Sequence, residues 1–151
     1  MNNLRIVATF LLISLSTLCA SAFAQGNAPF PLPDATVSLN LKVYALALGQ
    51  KADVSSGVLT YQGKNYPFTI KGIGLHENQV GAAYGVESGE VYGLNNVADF
   101  EGKYFQLSGS IEKSGEAIIR SDKKITLHLK GWSKGAIVIP PEGATIEFTK
   151  N

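Results

Sequence analysis

Residues 80–94, Val80-Gly-Ala-Ala-Tyr-Gly-Val-Glu-Ser-Gly-Glu-Val-Tyr-Gly-Leu94, fall into two alternating sets. Val80, Ala82, Tyr84, Val86, Ser88, Glu90 and Tyr92 form one set. Gly81, Ala83, Gly85, Glu87, Gly89, Val91 and Gly93 form the other, so one face is nearly bare. Strand side chains alternate with a period of two. A row of glycines on one side marks a bend, a bulge or close approach of a neighbour. A break at Glu87-Ser88-Gly89 would make the segment a hairpin. We read it as one long, strongly bent strand.

The flanking segments repeat the period. Val37, Leu39, Leu41 and Val43 share a face, with Ser38, Asn40 and Lys42 opposite, which predicts a half-buried strand. Gly57–Tyr61 and Tyr66–Ile70 flank Gln62-Gly63-Lys64-Asn65 and predict a hairpin, its positive φ supplied by Gly and Asn. Pro67 cannot donate to a ladder, so this strand is an edge, or its nitrogen faces away from its partner. Further on, Phe105, Leu107, Gly109 and Ile111 alternate with polar residues. Lys113–Glu116 and Gly131–Gly135 read as turns, Ile125, Leu127 and Leu129 as inward positions, and Ile146 and Phe148 likewise.

All sixteen glycines follow residue 25, and no long helical pattern does. Short strands with recurring turn signals predict an all-β fold. The expected architecture is a small antiparallel β-barrel, a meander of roughly eight or nine strands. A small β-sandwich is the alternative. A membrane barrel would need strands of about nine to eleven residues and an apolar outer band. The strands read here are mostly shorter and carry Lys, Glu, Gln and His outward.

The chain opens with a positive start at Arg5, an apolar run from Ile6 to Cys19, and small residues at Ala22 and Ala24. This is the pattern of a secretory signal peptide over residues 1–24, cleaved near Ala24. Residues 25–34, with Pro29, Pro31 and Pro33, read as an extended tail, and residues 35–151 as a single barrel domain. Cys19 is the only cysteine. Ser16 and Leu18 before it do not match a lipoprotein signal. The mature chain is expected to be periplasmic or secreted, free of disulfides and without an integral membrane span.

Once Arg5 is removed, twelve basic residues balance twelve acids. That balance argues against nucleic acid and against a polybasic membrane anchor. His76 and His128 are the only histidines, so no metal site is predicted. No nucleophile motif or phosphate loop is present, and no cofactor is expected. Glu87, Glu90, Asp99 and Glu101 are near in sequence, but such acids usually lie on the wet side of a strand or cap a helical turn.

The remaining motif is Gly89–Tyr104, GEVYGLNNVADFEGKY. It predicts a strand end at Leu94, a helical turn capped by Asn95 or Asn96 and running to Asp99 or Phe100, and a swing at Gly102 into the next strand. Phe100 and Leu94 are expected to plug a barrel end, with Asp99 bonding backbone amides there. The candidate ligand-binding residues are Tyr84, Tyr92, Asp99, Phe100 and Tyr104; no catalytic residue is assigned.

Three stretches carry a resemblance. Gly57–Phe68 fits G-x-L-x-Y-x-G-K-x-Y-P-F, Gly89–Leu94 fits G-x-V-Y-x-L, and Asp99–Tyr104 fits D-F-x-G-x-Y. Together they resemble a family of small exported bacterial β-barrel proteins associated with envelope integrity. Ile119–Leu129 departs from that family's Gly-Val-rich strand. The resemblance implies a role in envelope integrity, as a class only. The leading reading is a non-enzymatic envelope-maintenance or binding module, with a lipid or an envelope protein as the expected partner. A small hydrolase acting on a cell-wall or lipid substrate, and a small outer-membrane barrel, are the alternatives.

Overall fold

A computed structural model of the chain describes residues 31–45, 51–75 and 81–150. The segment read as a signal peptide, most of the proline-rich tail and His76 lie outside them. Ten strands form one antiparallel sheet. They are β1 (Ala35–Ala45), β2 (Lys51–Asp53), β3 (Ser55–Tyr61), β4 (Lys64–Lys71), β5 (Gly74–Leu75), β6 (Gly81–Tyr92), β7 (Gly102–Gly109), β8 (Ile111–Ser121), β9 (Thr126–Val138) and β10 (Ala144–Phe148). A 3-10 turn, Val97–Phe100, lies between β6 and β7.

Eight strands close a ring in the order β1-β3-β4-β10-β7-β8-β9-β6 and back to β1. β2 continues the line of β3 along β1 past Val54, and β5 adds a short strand to β9. The barrel is therefore as expected, but its path is not a meander. β6 closes the ring between β1 and β9, and β10 inserts between β4 and β7. Closure leaves no open sheet edge in the ring.

The alternation of β1 holds throughout: Ala35, Val37, Leu39, Leu41 and Val43 are buried and the residues between them exposed. β6 is one strand of twelve residues, and its bare face points inward. In the β3–β4 turn, Gln62 rather than Asn65 joins Gly63 at positive φ. β4 is paired on both sides, so Pro67 is not at an edge. Its carbonyl accepts from the Thr149 amide, on the β10 side. Its nitrogen faces the same way, beyond the last β10 pair at Phe148, and the β3–β4 ladder loses nothing.

Three expectations need correction. Lys113–Glu116 and Gly131–Gly135 are not turns but the middles of β8 and β9, strands of eleven and thirteen residues. Gly115 and Gly131 are cross-strand partners. On β7 the inward residue is Tyr104, which is fully buried, while Leu107 is exposed. The Tyr104 hydroxyl donates to the Phe100 carbonyl at 2.8 Å, so a buried polar tip is satisfied. The long strands match the reach of a membrane barrel, but the polarity does not. The interior is mainly apolar, with Glu87 an exception, and the outer wall carries Lys42, Glu90, His128, Lys130 and Lys134.

The motif at Gly89–Tyr104 carries the chain across one barrel end, from β6 on one wall to β7 on another. Asn96 is the N-cap, its Oδ1 accepting from the Ala98 amide at 3.0 Å. Gly102 has φ +149° at the entry to β7. Phe100 and Leu94 are buried as expected. Asp99, however, is exposed and does not bond the corner's amides. Asp34 accepts from Leu94 N at 2.9 Å, and Glu101 from Phe148 N at 2.7 Å. These carboxylates come from outside the short turn and tie it to neighbouring strands, which a local reading does not see. Asn96→Ala should therefore lower stability by about 1 kcal/mol. Asp99→Asn should change it by less than about 0.5 kcal/mol. Urea unfolding of the two variants checks the pair.

Candidate functional site: the outer wall of β1, β6 and β9

The barrel interior is full. Leu39, Leu41, Ile70, Tyr104, Leu127 and Ile146 are among the side chains around an apolar void of about 20 Å³. That is room for about one water and not for a lipid chain. Phe68, Phe100, Tyr104 and Leu59 are buried to completion or nearly so. Space for a ligand lies outside. Grooves of about 730 Å³ beside Gly72–Leu75 and Pro140–Glu142 and of about 400 Å³ over β1, β3 and β4 are two such places, and the wall where β6 joins β1 to β9 is the one that gathers exposed aromatic rings.

Register builds that wall in rows. Lys42, Tyr84 and Lys134 are successive cross-strand partners, and so are Asn40, Val86 and Trp132. Tyr44 is the next outward residue of β1. All seven side chains face solvent, because outward positions repeat every second residue. Trp132 is 53% exposed, Tyr84 45% and Val86 65%. The Tyr84 and Trp132 rings lie 6.3 Å apart at 57°, and Lys134 Nζ sits 5.9 Å from the Tyr84 ring centre. Tyr44, Tyr84, Val86 and Trp132 border a groove of about 190 Å³. Isolated exposed apolar residues are ordinary; a contiguous group is the mark of an interaction site.

Further along the same wall the chemistry becomes polar. A groove of about 630 Å³ runs over Thr36, Ser88, Glu90, Glu116, His128 and Lys130. The Tyr92 hydroxyl donates to Glu90 Oε2 at 2.6 Å, and its ring lies 4.9 Å from that of His128. The hydrogen bond to Glu90 raises the Tyr92 hydroxyl pKa above its ordinary value. Lys130 pairs with Glu116 at 3.1 Å. Among the described residues no group of acids and histidines could hold a metal ion.

The five residues singled out from the sequence do not converge. Tyr84 and Tyr92 stand on the outer wall, eight residues apart on β6. Phe100 and Tyr104 meet inside the barrel, with ring centres 5.9 Å apart. Asp99 faces solvent at the corner. At Glu101, Oε1 accepts from the Phe148 amide. The residues that sequence reasoning missed are Tyr44, Lys42, Trp132 and Lys134. Reading Gly131–Gly135 as a turn hid the last two from the strand pattern that would have placed them beside Tyr84.

Glu87 is the second surprise. It belongs to the bare face, is 3% exposed, and faces inward opposite Leu39 and Gly131. Burial pushes its carboxyl from 4.5 up to about 7, with no opposing charge or hydrogen bond among the described residues. A carboxyl whose folded pKa is raised binds its proton more tightly in the folded state. Its contribution is fully present below about pH 4.5 and is lost as pH rises through about 7. The thermal midpoint of the wild type should fall across that window, while Glu87→Gln should be nearly flat and more stable at pH 8. Melting curves from about pH 4 to about pH 8 check this.

Comparisons of the chain with protein-family models, with curated proteins and with solved structures return no match.

Proposed function

We infer that this chain is an exported, non-enzymatic binding module of the bacterial cell envelope, and that its ligand sits on the outer wall of β1, β6 and β9. One observation carries the reading: a contiguous aromatic and cationic patch on a barrel whose interior is filled. A carrier that enclosed a lipid would need a cavity of several hundred Å³. The void of about 20 Å³ supports an external site instead. The leader-like opening of the chain and its three envelope-family motifs support the compartment and the role. The hydrolase alternative called for a cleft in which Asp99 or Glu101 meets a histidine or another carboxylate; Asp99 faces solvent, and Glu101 accepts from the Phe148 amide.

The test is complementation. Deleting the gene should sensitise the cell envelope to detergent, and the wild-type chain should restore resistance. Tyr84→Ala/Trp132→Ala should be exported and melt within about 2–4 °C of wild type, since surface changes away from special features are small. It should nevertheless fail to restore resistance. Full restoration by this variant would refute the outer-wall reading, and a deletion without any envelope phenotype would refute the envelope role.

A further inference from the structure

The geometry points to the surface of an anionic phospholipid bilayer as the partner of the Lys42–Tyr84–Lys134 wall. This inference rests on the outer-wall reading and names its ligand. Tyr84 and Trp132 combine apolar rings with polar tips, and such side chains favour the headgroup level of a membrane, where one end is apolar and the other wet. Lys42 and Lys134 flank Tyr84 in register on both sides. Neither has a carboxylate partner among the described residues; the ion pairs there join Lys71 to Glu147 and Lys130 to Glu116. Their long apolar stems can lie along the aromatic rings while the ammonium groups reach phosphate.

Charge along the wall is segregated. Glu90 lies six residues along β6 from Tyr84, about 20 Å at the rise of an extended strand. That exceeds the screening length of about 8 Å at physiological ionic strength, so the acid does not offset the lysines. A balanced net charge thus conceals a cationic, aromatic end on this face. A second copy of the chain is a poor occupant, because a two-fold contact centred here would set lysines against lysines. A flat sugar ring is also poorly served, since the Tyr84 and Trp132 rings are tilted by 57° and offer no common plane. A bilayer surface requires no such plane.

Trp132 is the only tryptophan in the chain, so its emission reports on this patch alone. The probes are vesicles of phosphatidylcholine, vesicles of phosphatidylcholine with phosphatidylglycerol, and soluble dextran sulfate. Mixed anionic vesicles should shift the emission to the blue, and added salt should reverse the shift. Lys42→Gln/Lys134→Gln should bind them roughly 25-fold more weakly, about fivefold for each lysine. An equal shift with pure phosphatidylcholine, or an unchanged affinity for the lysine variant, would overturn the inference. So would a shift with dextran sulfate and none with vesicles, which would make the partner an anionic glycan. Acrylamide quenching of the free protein separates the two levels. If Trp132 is quenched readily but no vesicle shifts it, the lipid inference falls and the outer-wall site stands. If Trp132 is shielded, both fall.

Discussion

Phe100→Ala is expected to destabilise the barrel by about 3–5 kcal/mol, as truncation of a fully buried phenylalanine does. Phe100 has no exposed surface and lies at the centre of an aromatic cluster. Its ring meets Phe68 edge-on at 5.2 Å, stacks on Phe148 at 5.9 Å and tilts against Tyr104 at 5.9 Å. These partners come from β4, β10 and β7, so one ring holds three strands at the end that the corner closes. Domains of this size are stable by roughly 5–15 kcal/mol, and a loss of this order lowers the melting temperature by roughly 10–20 °C. Tyr104→Phe is the control. It keeps the ring but removes the donor to the Phe100 carbonyl, and should cost about 1–2 kcal/mol. Urea unfolding of the two variants should rank them in that order. Equal losses would mean that the hydrogen bond, rather than the packing, holds the corner.

Gly131→Ala is the second large effect. A methyl group at this position would lie 2.2 Å from the Val86 carbonyl oxygen, 2.4 Å from Glu87 Oε2 and 2.7 Å from the Glu87 Cα. Two of those three atoms are backbone of β6, which cannot move without opening the β6–β9 ladder. We expect a loss of about 3 kcal/mol, near the upper part of the usual range for overpacking. The double variant Gly131→Ala/Glu87→Ala separates two reasons for the glycine. If it serves mainly to admit the Glu87 carboxyl, removing that side chain restores stability. If it serves the approach of β6 to β9, the double variant stays destabilised, and this is the expected outcome because the Val86 oxygen remains. Chemical unfolding of the two variants, compared with Glu87→Ala alone, gives the answer.

The same glycine explains where sequence reading succeeded and failed. Alternation alone placed β1 and β6, because each has one side against the core and a clear period. Much of the corner was legible: a cap at Asn95 or Asn96, Phe100 as plug and Gly102 as the swing are signals within a few residues of one another, whereas the carboxylates that bond amides there, Asp34 and Glu101, serve distant partners. Gly115 and Gly131 were misread because a glycine permits both a turn and a close strand approach, and only the partner strand decides. That error shortened β8 and β9 and kept Trp132 and Lys134 away from Tyr84. Tyr104 and Phe105 were exchanged for a related reason. Hydrophobicity favours phenylalanine inside, but the Phe100 carbonyl, four residues earlier, satisfies a buried tyrosine. Glu87 was expected in water because carboxylates usually are, although its place among the glycines of the bare face already marked it as inward.

A full barrel that binds on its outer wall holds no ligand inside. Native mass spectrometry of the protein, with Tyr84→Ala/Trp132→Ala alongside, tests this. The predicted result is the mass of the polypeptide alone for the variant, with any copurifying ligand confined to the wild type. A stoichiometric adduct retained by the variant would refute the outer-wall site.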